Sequence, residues 1–277
     1  MTTKYGQIPF VKMHGAGNDF VFIDQRDLPS GRDLTKVEIA NICHRRLGIG
    51  ADGLILIGPG RPGKTDFRMS YFNADGGEVE MCGNGARCSV AFASTHDLCG
   101  VTCTFDTQAG VLSGEAHDVQ DITVSLTGWT GLELGSDLSG SPWSDHHLCN
   151  TGVPHLVIPV SEVQTIDVKK WGHNFRHHEN FAPSGLNVNW VAWDEASGEY
   201  QLRTYERGVE DETLACGTGA SAAAVVLCHL NQATSPVAVR TRGGDLLQIS
   251  VDQESGVLLL RGPAVVSFSG TITLADK

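Results

Sequence analysis

Residues 212–230 read "ETLACGTGASAAAVVLCHL", and the fold turns on how its second half can be housed. From Ala220 onward the segment is apolar all round at helical spacing, so it has no wet face to turn to solvent. It is expected to be a helix buried on every side. Residues 78–94, "EVEMCGNGARCSVAFAS", repeat the arrangement: a cysteine, a Gly-x-Gly-Ala, then a run of small side chains over which strands can pack closely.

The match extends beyond the two motifs. Placing Cys82 on Cys216 aligns Tyr71 with Tyr205, Glu78 with Glu212, Gly83 with Gly217, Gly85 with Gly219 and Ala86 with Ala220, at one offset and without a gap. One further residue of offset sets Gly17 on Gly152 and Ile23 on Ile158. A repeat of this length implies two similar domains, each built on one buried helix. The Gly/Ser-rich stretch "TGWTGLELGSDLSGSPWS", residues 127–144, reads as a linker or irregular excursion at their boundary.

Around these helices lie short β-branched and aromatic runs punctuated by Gly, Asp and Asn: "FVFID", "GLILIG", "FRMSYF", "DITVSL", "HLVIPV", "VNWVAW", "YQLRTY", "VAVRTR" and "LLQISV". Strands therefore dominate. Two further helices are expected, one over Leu34–Leu47 with Asp33 as its cap and one near Gln164–Phe175. The class is α/β, with mixed sheets of the α+β kind.

The 277 residues are 41% hydrophobic, ample for two cores. No stretch reaches the unbroken apolar length of a membrane span, and "MTTKYGQIPFVKMHG" lacks the features of a secretory signal, so the expectation is a cytoplasmic protein with no membrane partner. A formal charge of -12 repels phosphate backbones and argues against nucleic acid. Eight cysteines in that compartment read as thiols rather than disulfides. Cys43, Cys88, Cys99, Cys103, Cys149 and Cys228 fit core filling. No C-x2-C occurs, and His146-His147 and His177-His178, in polar stretches, read as solvated, so no metal is expected. The Gly-rich segments lack the context of a dinucleotide or P-loop motif, and nothing points to pyridoxal phosphate.

Cys82 and Cys216 are different, because each stands at a helix start. There, unpaired backbone N–H groups and the positive end of the helix dipole attract anions and favour thiolate over thiol. The glycines after each cysteine let a carboxylate or phosphate approach those N–H groups. If the domains face each other about a pseudo-twofold axis, a thiolate and a thiol flank a single carbon. That is the arrangement needed to take a proton from one face of a stereocentre and return one to the other.

Taken together, "KMHGAGNDFVFID", "FNADGGEVEMCGNGARC", "GVPHLV", "LNVNW" and "TYERGVEDETLACGTGA" resemble the diaminopimelate epimerases, in order and from about Lys12 to Val226. The resemblance implies interconversion of LL- and meso-2,6-diaminopimelate without cofactor, in lysine and peptidoglycan synthesis. It implies two pseudo-symmetric domains, each a barrel-like sheet around its central helix, and commonly a homodimer. The last strand is expected to return to the first domain, giving residues 1–126 with 265–277 and residues 127–264. By matching motif, Cys82 and Cys216 are the acid and base. Gly83, Asn84, Gly217 and Thr218 hold the reacting α-carboxylate. Arg207 clamps the distal carboxylate, with Asn18, Asn73, Asn187 and Glu206 as further substrate contacts. His155 and Glu206 tune or deprotonate the thiols.

Two positions depart from the family pattern. Gly53 stands where many members have glutamine, and Val153 where many have asparagine, so two side-chain contacts to substrate lack their usual residue. The sister proline racemases also pair two Cys-Gly motifs, but their substrates have no second amino-acid end for Arg207 and the asparagines to bind. A structural zinc or thiol-redox protein is the rival from another class.

Overall fold

The computed structural model describes residues 7–29, 32–118 and 120–274; the start of the amino-terminal reading and the last three residues of the 265–277 segment lie outside them. The chain divides into two compact units, Met1–Val124 with Pro263–Lys277 and Ser125–Gly262.

The first unit runs β1 (Gln7–Gly15), β2 (Asn18–Asp24), α1 (Lys36–Cys43), β3 (Gly53–Pro59), β4 (Phe67–Asn73), β5 (Glu78–Val79), α2 (Gly83–Thr95), β6 (Thr102–Thr107), β7 (Gly110–Asp118) and β8 (Asp121–Leu126). The second runs β9 (Thr130–Leu134), β10 (His147–Asn150), β11 (Pro154–Pro159), α3 (Val168–Arg176), β12 (Asn187–Asp194), β13 (Glu199–Glu206), β14 (Asp211–Thr213), α4 (Gly217–His229), β15 (Val237–Arg240), β16 (Leu246–Val251) and β17 (Leu258–Pro263). The final strand β18 (Val265–Thr273) pairs antiparallel with β1.

Both units wire their strands in the same way. In the first, β18, β1 and β2 are antiparallel, β3 joins β2 in parallel, β4 and β5 follow antiparallel, and β6 lies parallel to β4 before β7 and β8 complete the meander. In the second, β9 to β17 repeat each of these pairings in the same order and sense. The sequence repeat is thus a repeat of topology, with one shift of register. Phe72 pairs with Glu78 and Tyr205 with Glu212, so the position equivalent to Tyr205 is Phe72 and not Tyr71. Glu212 lies seven residues after Tyr205 but Glu78 only six after Phe72, which an ungapped alignment hides.

The central helices are buried on all sides: eleven of thirteen residues in α2 and eleven of thirteen in α4. Helix α2 packs on β1, β2, β3, β4 and β7, and α4 on β10, β11, β12, β15 and β16. Small side chains make this possible. A Cβ at Gly85 would sit 2.9 Å from Ile55 Cδ1, and one at Gly114 would press into Val90.

The opposite face of each sheet is covered by the second helix. Val21, Ile23, Leu54 and Leu56 pack under α1, and Leu156, Ile158, Val188, Trp190 and Tyr205 under α3. Strands buried on both faces read as continuous apolar runs, which is why "FVFI" and "HLVI" show no alternation.

Four expectations need correction. The first outer helix is shorter than Leu34–Leu47 and is capped by Thr35 rather than Asp33, with Glu38 completing a capping box. It stops at Cys43 because the chain folds back and the amides of Ile49 and Gly50 donate to the Ile42 carbonyl. The second begins at Val168, not near Gln164: Asp167 caps it, and Arg203 Nη1 takes the Val163 and Ile166 carbonyls at 3.0 and 2.9 Å, holding that stretch out of the helix.

Residues 127–144 are more than a linker. They contain β9, which pairs with β10, and Trp143, which packs against Trp171 and Trp190. His146 and His147, read as solvated, are buried. His146 Nε2 lies 2.7 Å from Ser141 Oγ, and His147 Nδ1 accepts from the Gly135 amide at 3.1 Å. Polar sequence around a residue does not reveal a fold-back that covers it.

Gly172 is the tightest point between α3 and its sheet, since a Cβ there would enter the Tyr205 ring. Alanine is the better helix former by about 1 kcal/mol, but overpacking costs about 1–3 kcal/mol. Gly172→Ala is expected to lower the urea midpoint; an unchanged or raised midpoint would show that the ring gives way freely.

Candidate active site

In the first unit, β1 and β2 meet in a tight turn whose Ala16 and Gly17 both take positive φ, 54° and 87°. The turn brings Asn18, the first residue of β2, beside the start of α2. Cys82 is the cap residue of that helix, in extended conformation, and its Sγ lies 3.5 Å from Asn18 Oδ1. Asn84 Nδ2 donates to the same oxygen at 3.3 Å, while Asn18 Nδ2 donates to Asp52 at 2.7 Å. The carboxylate accepts only, so the Asn18 amide is oriented with its oxygen toward the thiol.

Behind this sits Arg87, wholly buried in α2. It donates to Asn84 Oδ1 at 2.9 Å, to the Gly83 carbonyl at 3.3 Å and to the Pro263 carbonyl at 3.3 Å. Hydrogen bonds therefore run in one direction from Arg87 through Asn84 and Asn18 to Asp52, which is paired with Arg45 at 2.6 Å. Burial would raise the neighbouring Asp19 carboxyl, but Arg45 and Lys12 outweigh it and hold the group well below the usual carboxylate range.

Asn73 lies at the end of β4, where its Oδ1 accepts from the Tyr71 hydroxyl at 3.1 Å. Tyr71 also packs edge-on against Phe20 and fills the space beside Gly53, where a Cβ would come within 2.6 Å of Tyr71 Cε2. A longer side chain at position 53 is thus excluded by the Phe72 carbonyl, which a Cβ would strike first, and by the tyrosine ring.

In the second unit, Cys216 caps α4, and its Sγ accepts from the Gly219 amide at 3.3 Å and lies 3.4 Å from Thr218 Oγ1. Thr151 Oγ1 donates to the Thr218 carbonyl at 2.9 Å, tying β10 to the helix start. An amide donor on sulfur stabilises the anion. Among the core thiols, burial pushes Cys88 and Cys149 up to about 12.

His155, on β11, is buried, and its Nδ1 lies 3.1 Å from Asn189 Nδ2. Burial, and then the charge of Arg207, push its pKa down to about 3, so the ring is neutral. Arg207 follows β13; its amide donates to Asn187 Oδ1 at 2.8 Å and its guanidinium reaches the Ser184 carbonyl at 3.4 Å. Glu206 Oε1 accepts from Thr213 Oγ1 at 2.5 Å.

The structure gathers Asn18, Cys82, Gly83 and Asn84 at one helix start and Cys216, Gly217 and Thr218 at the other. It links Asn187 to Arg207 in the second unit and leaves Asn73 with Tyr71 at the end of β4. Sequence reasoning passed over Asn189, Thr204, Arg87 and Asp52. The signals were slight: a second asparagine two residues after Asn187 on the same strand face, and a lone arginine in a helix of small residues. Among the described residues there is no group of three or more His, Cys, Asp or Glu placed to hold a metal.

A unit of sheet and buried helix, repeated once along the chain, is a fold represented in solved structures. A hydroxyproline epimerase from Agrobacterium vitis matches over 100% of this chain and 95% of its own, with a TM-score of 0.74 at 13% identity. A PhzF-family protein of Bacillus anthracis matches over 97% and 99%, with a TM-score of 0.71 at 14% identity. At such identities the likeness is one of fold.

The sequence profile of the diaminopimelate epimerases matches residues 10–130 and 147–267. Proteins named diaminopimelate epimerase from Hydrogenobaculum sp. and Aquifex aeolicus are 38% and 40% identical to it, each over 95% of this chain and 97% of their own. That from Chlorobaculum tepidum is 40% identical over 95% and 100%. The chain belongs to the diaminopimelate epimerase family, which are isomerases acting on amino acids in lysine biosynthesis.

The depressed His155 pKa has a consequence for stability. Between about pH 6.5 and about pH 3 the unfolded chain binds a proton at this ring and the folded chain does not, so stability falls as pH falls through that window. Burial lowers His146 as well, which acts in the same sense. At about pH 5 the His155 contribution is ~2 kcal/mol. His155→Gln is expected to flatten the drop in Tm between pH 7 and pH 5; an equal drop in both proteins would show that His155 takes up its proton in the folded state.

Proposed function

We propose that this chain epimerises LL-2,6-diaminopimelate to the meso isomer by transferring protons at one α-carbon, with Cys82 and Cys216 as the two acid/base groups and no organic cofactor. The observation that carries the reading is the placement of both thiols as caps of buried helices in two units of the same topology.

One thiolate takes the α-proton. The electron pair left on carbon is delocalised into the α-carboxylate, and the other thiol delivers its proton to the opposite face. The α-carbon acid is weak, so the developing charge needs stabilisation. The N–H groups at Gly83-Asn84 and Gly217-Thr218, at the positive ends of α2 and α4, suit the carboxylate on which that charge grows.

Arg207 has the planar fork suited to a second carboxylate, and Asn18, Asn73, Asn187 and Glu206 supply polar contacts for the unreacting end. His155 and Glu206 tune the thiols. The strand partners of α2 and α4 support the view that each sheet curls into a barrel-like wrap around its helix. We take the protein to act in the cytoplasm as a homodimer, in keeping with its family, and no helix among the described residues is long and apolar enough to cross a membrane.

The deciding experiment is incubation of the reduced protein with LL-diaminopimelate in heavy water. Meso product carrying deuterium at the α-carbon, formed without added cofactor, is expected. Exchange with proline run in parallel, and none with diaminopimelate, would move the chain to the proline racemase chemistry.

Cys82→Ser and Cys216→Ser are each expected to lose at least about 100-fold in kcat while keeping the wild-type Tm, since a hydroxyl is a far poorer base. Near-normal turnover in either variant would remove that residue from the mechanism.

A further inference from the structure

The two units build the same location in different chemistry. In the first unit, Phe20 pairs with Gly53, Ile55 lies two residues along β3, and Ile55 pairs with Tyr71 on β4. In the second, His155 pairs with Asn187, Asn189 lies two residues along β12, and Asn189 pairs with Thr204 on β13. Over each trio sits the second glycine of the cysteine motif. A Cβ at Gly85 would meet Ile55 and Phe20, and one at Gly219 would strike Asn189 Oδ1.

Position for position, Phe20, Ile55 and Tyr71 are replaced by His155, Asn189 and Thr204, all three buried. Burying polar groups costs free energy that hydrocarbon at the same place does not. The first unit shows that this topology closes well with aromatic and aliphatic side chains. The polar trio is therefore not a requirement of the fold.

Its hydrogen bonds are directional. The Leu156 carbonyl, which only accepts, lies 2.9 Å from Asn189 Nδ2, so that end of the amide is the NH2 group. Thr204 Oγ1 donates to Asn189 Oδ1 at 2.9 Å, which agrees. The second hydrogen of Nδ2 points to His155 Nδ1, 3.1 Å away, and that nitrogen must offer its lone pair. In a neutral imidazole the proton then resides on Nε2. His155 Nε2 is buried and has no hydrogen-bond partner among the described residues.

We propose that Asn189, oriented by Leu156 and Thr204, is a positioning residue that fixes His155 as the neutral tautomer with its proton on Nε2, so that the ring serves the site as a hydrogen-bond donor and not as a base. The proposal deepens the epimerase reading. A ring held in this way stabilises an anion, carboxylate or thiolate, by donating to it. To accept a proton at Nε2 it would first have to shift its own proton to Nδ1 and give up the Asn189 bond. Gly219, pressed against Asn189 and donating its amide to Cys216, ties this device to the start of α4.

The test is nitrogen NMR of the full-length protein labelled in its histidine rings, with the His155 signals assigned by their loss in His155→Gln. A pyrrole-type Nε2 and a pyridine-type Nδ1 at neutral pH are expected. A proton on Nδ1, or a charged ring, would overturn the proposal.

In Asn189→Asp the carboxylate accepts at this position, so the proton is expected to move to Nδ1 and kcat to fall at least about 10-fold with KM little changed; an unaltered tautomer would remove Asn189 from the role. His155→Gln, which keeps an N–H donor, is expected to retain at least about 10-fold more kcat than His155→Ala, whereas equal losses would favour a base. The NMR result needs no turnover, so failure to epimerise diaminopimelate would defeat the functional reading separately.

Discussion

A helix enclosed by strands leaves only its ends available for chemistry, and in both units the close approach of helix to sheet is the constraint on which the rest depends. It requires glycine and alanine where the backbones meet, as at Gly85 and Gly219. It also leaves the first-turn N–H groups of α2 and α4 beside the cysteine that caps each helix. Packing and helix end are thus linked, because the glycines that let each helix approach its sheet lie in its first turn.

Within that common plan the two thiols meet different surroundings. At Cys82 the neighbouring group is an oxygen, that of Asn18, held in place by Asp52. Beside Cys216 Sγ stand the Gly219 N–H and the Thr218 hydroxyl. An acceptor beside sulfur suits S–H, and a donor suits the thiolate. The proposed two-base reading needs one thiol and one thiolate at the start of each turnover, and unlike neighbours in near-identical topology would favour such a difference.

The buried network of the second unit extends this contrast. Where the first unit places hydrocarbon against Gly85, the second places Asn189 between His155 and Gly219, and every hydrogen of the amide has an acceptor. An amide with all its hydrogen bonds made orients a ring that apolar packing alone would leave free to choose its tautomer.

Much of this was legible in the residues. The paired Cys-Gly-x-Gly-Ala motifs followed by small apolar runs announce two buried helices, because only such a composition can be enclosed on all sides. The strand-rich runs and the repeat give the duplication, and the motif residues give the family. The sequence did not determine the register that makes Phe72, not Tyr71, the counterpart of Tyr205, the burial of His146 and His147, or the strand within residues 127–144. Nor did it single out Asn189, Thr204, Arg87 and Asp52. Each of these depends on contacts between segments far apart in the chain. A residue's own type and spacing determine what it is able to donate, accept or bury; which atom faces it across the sheet is decided only when the strands have paired.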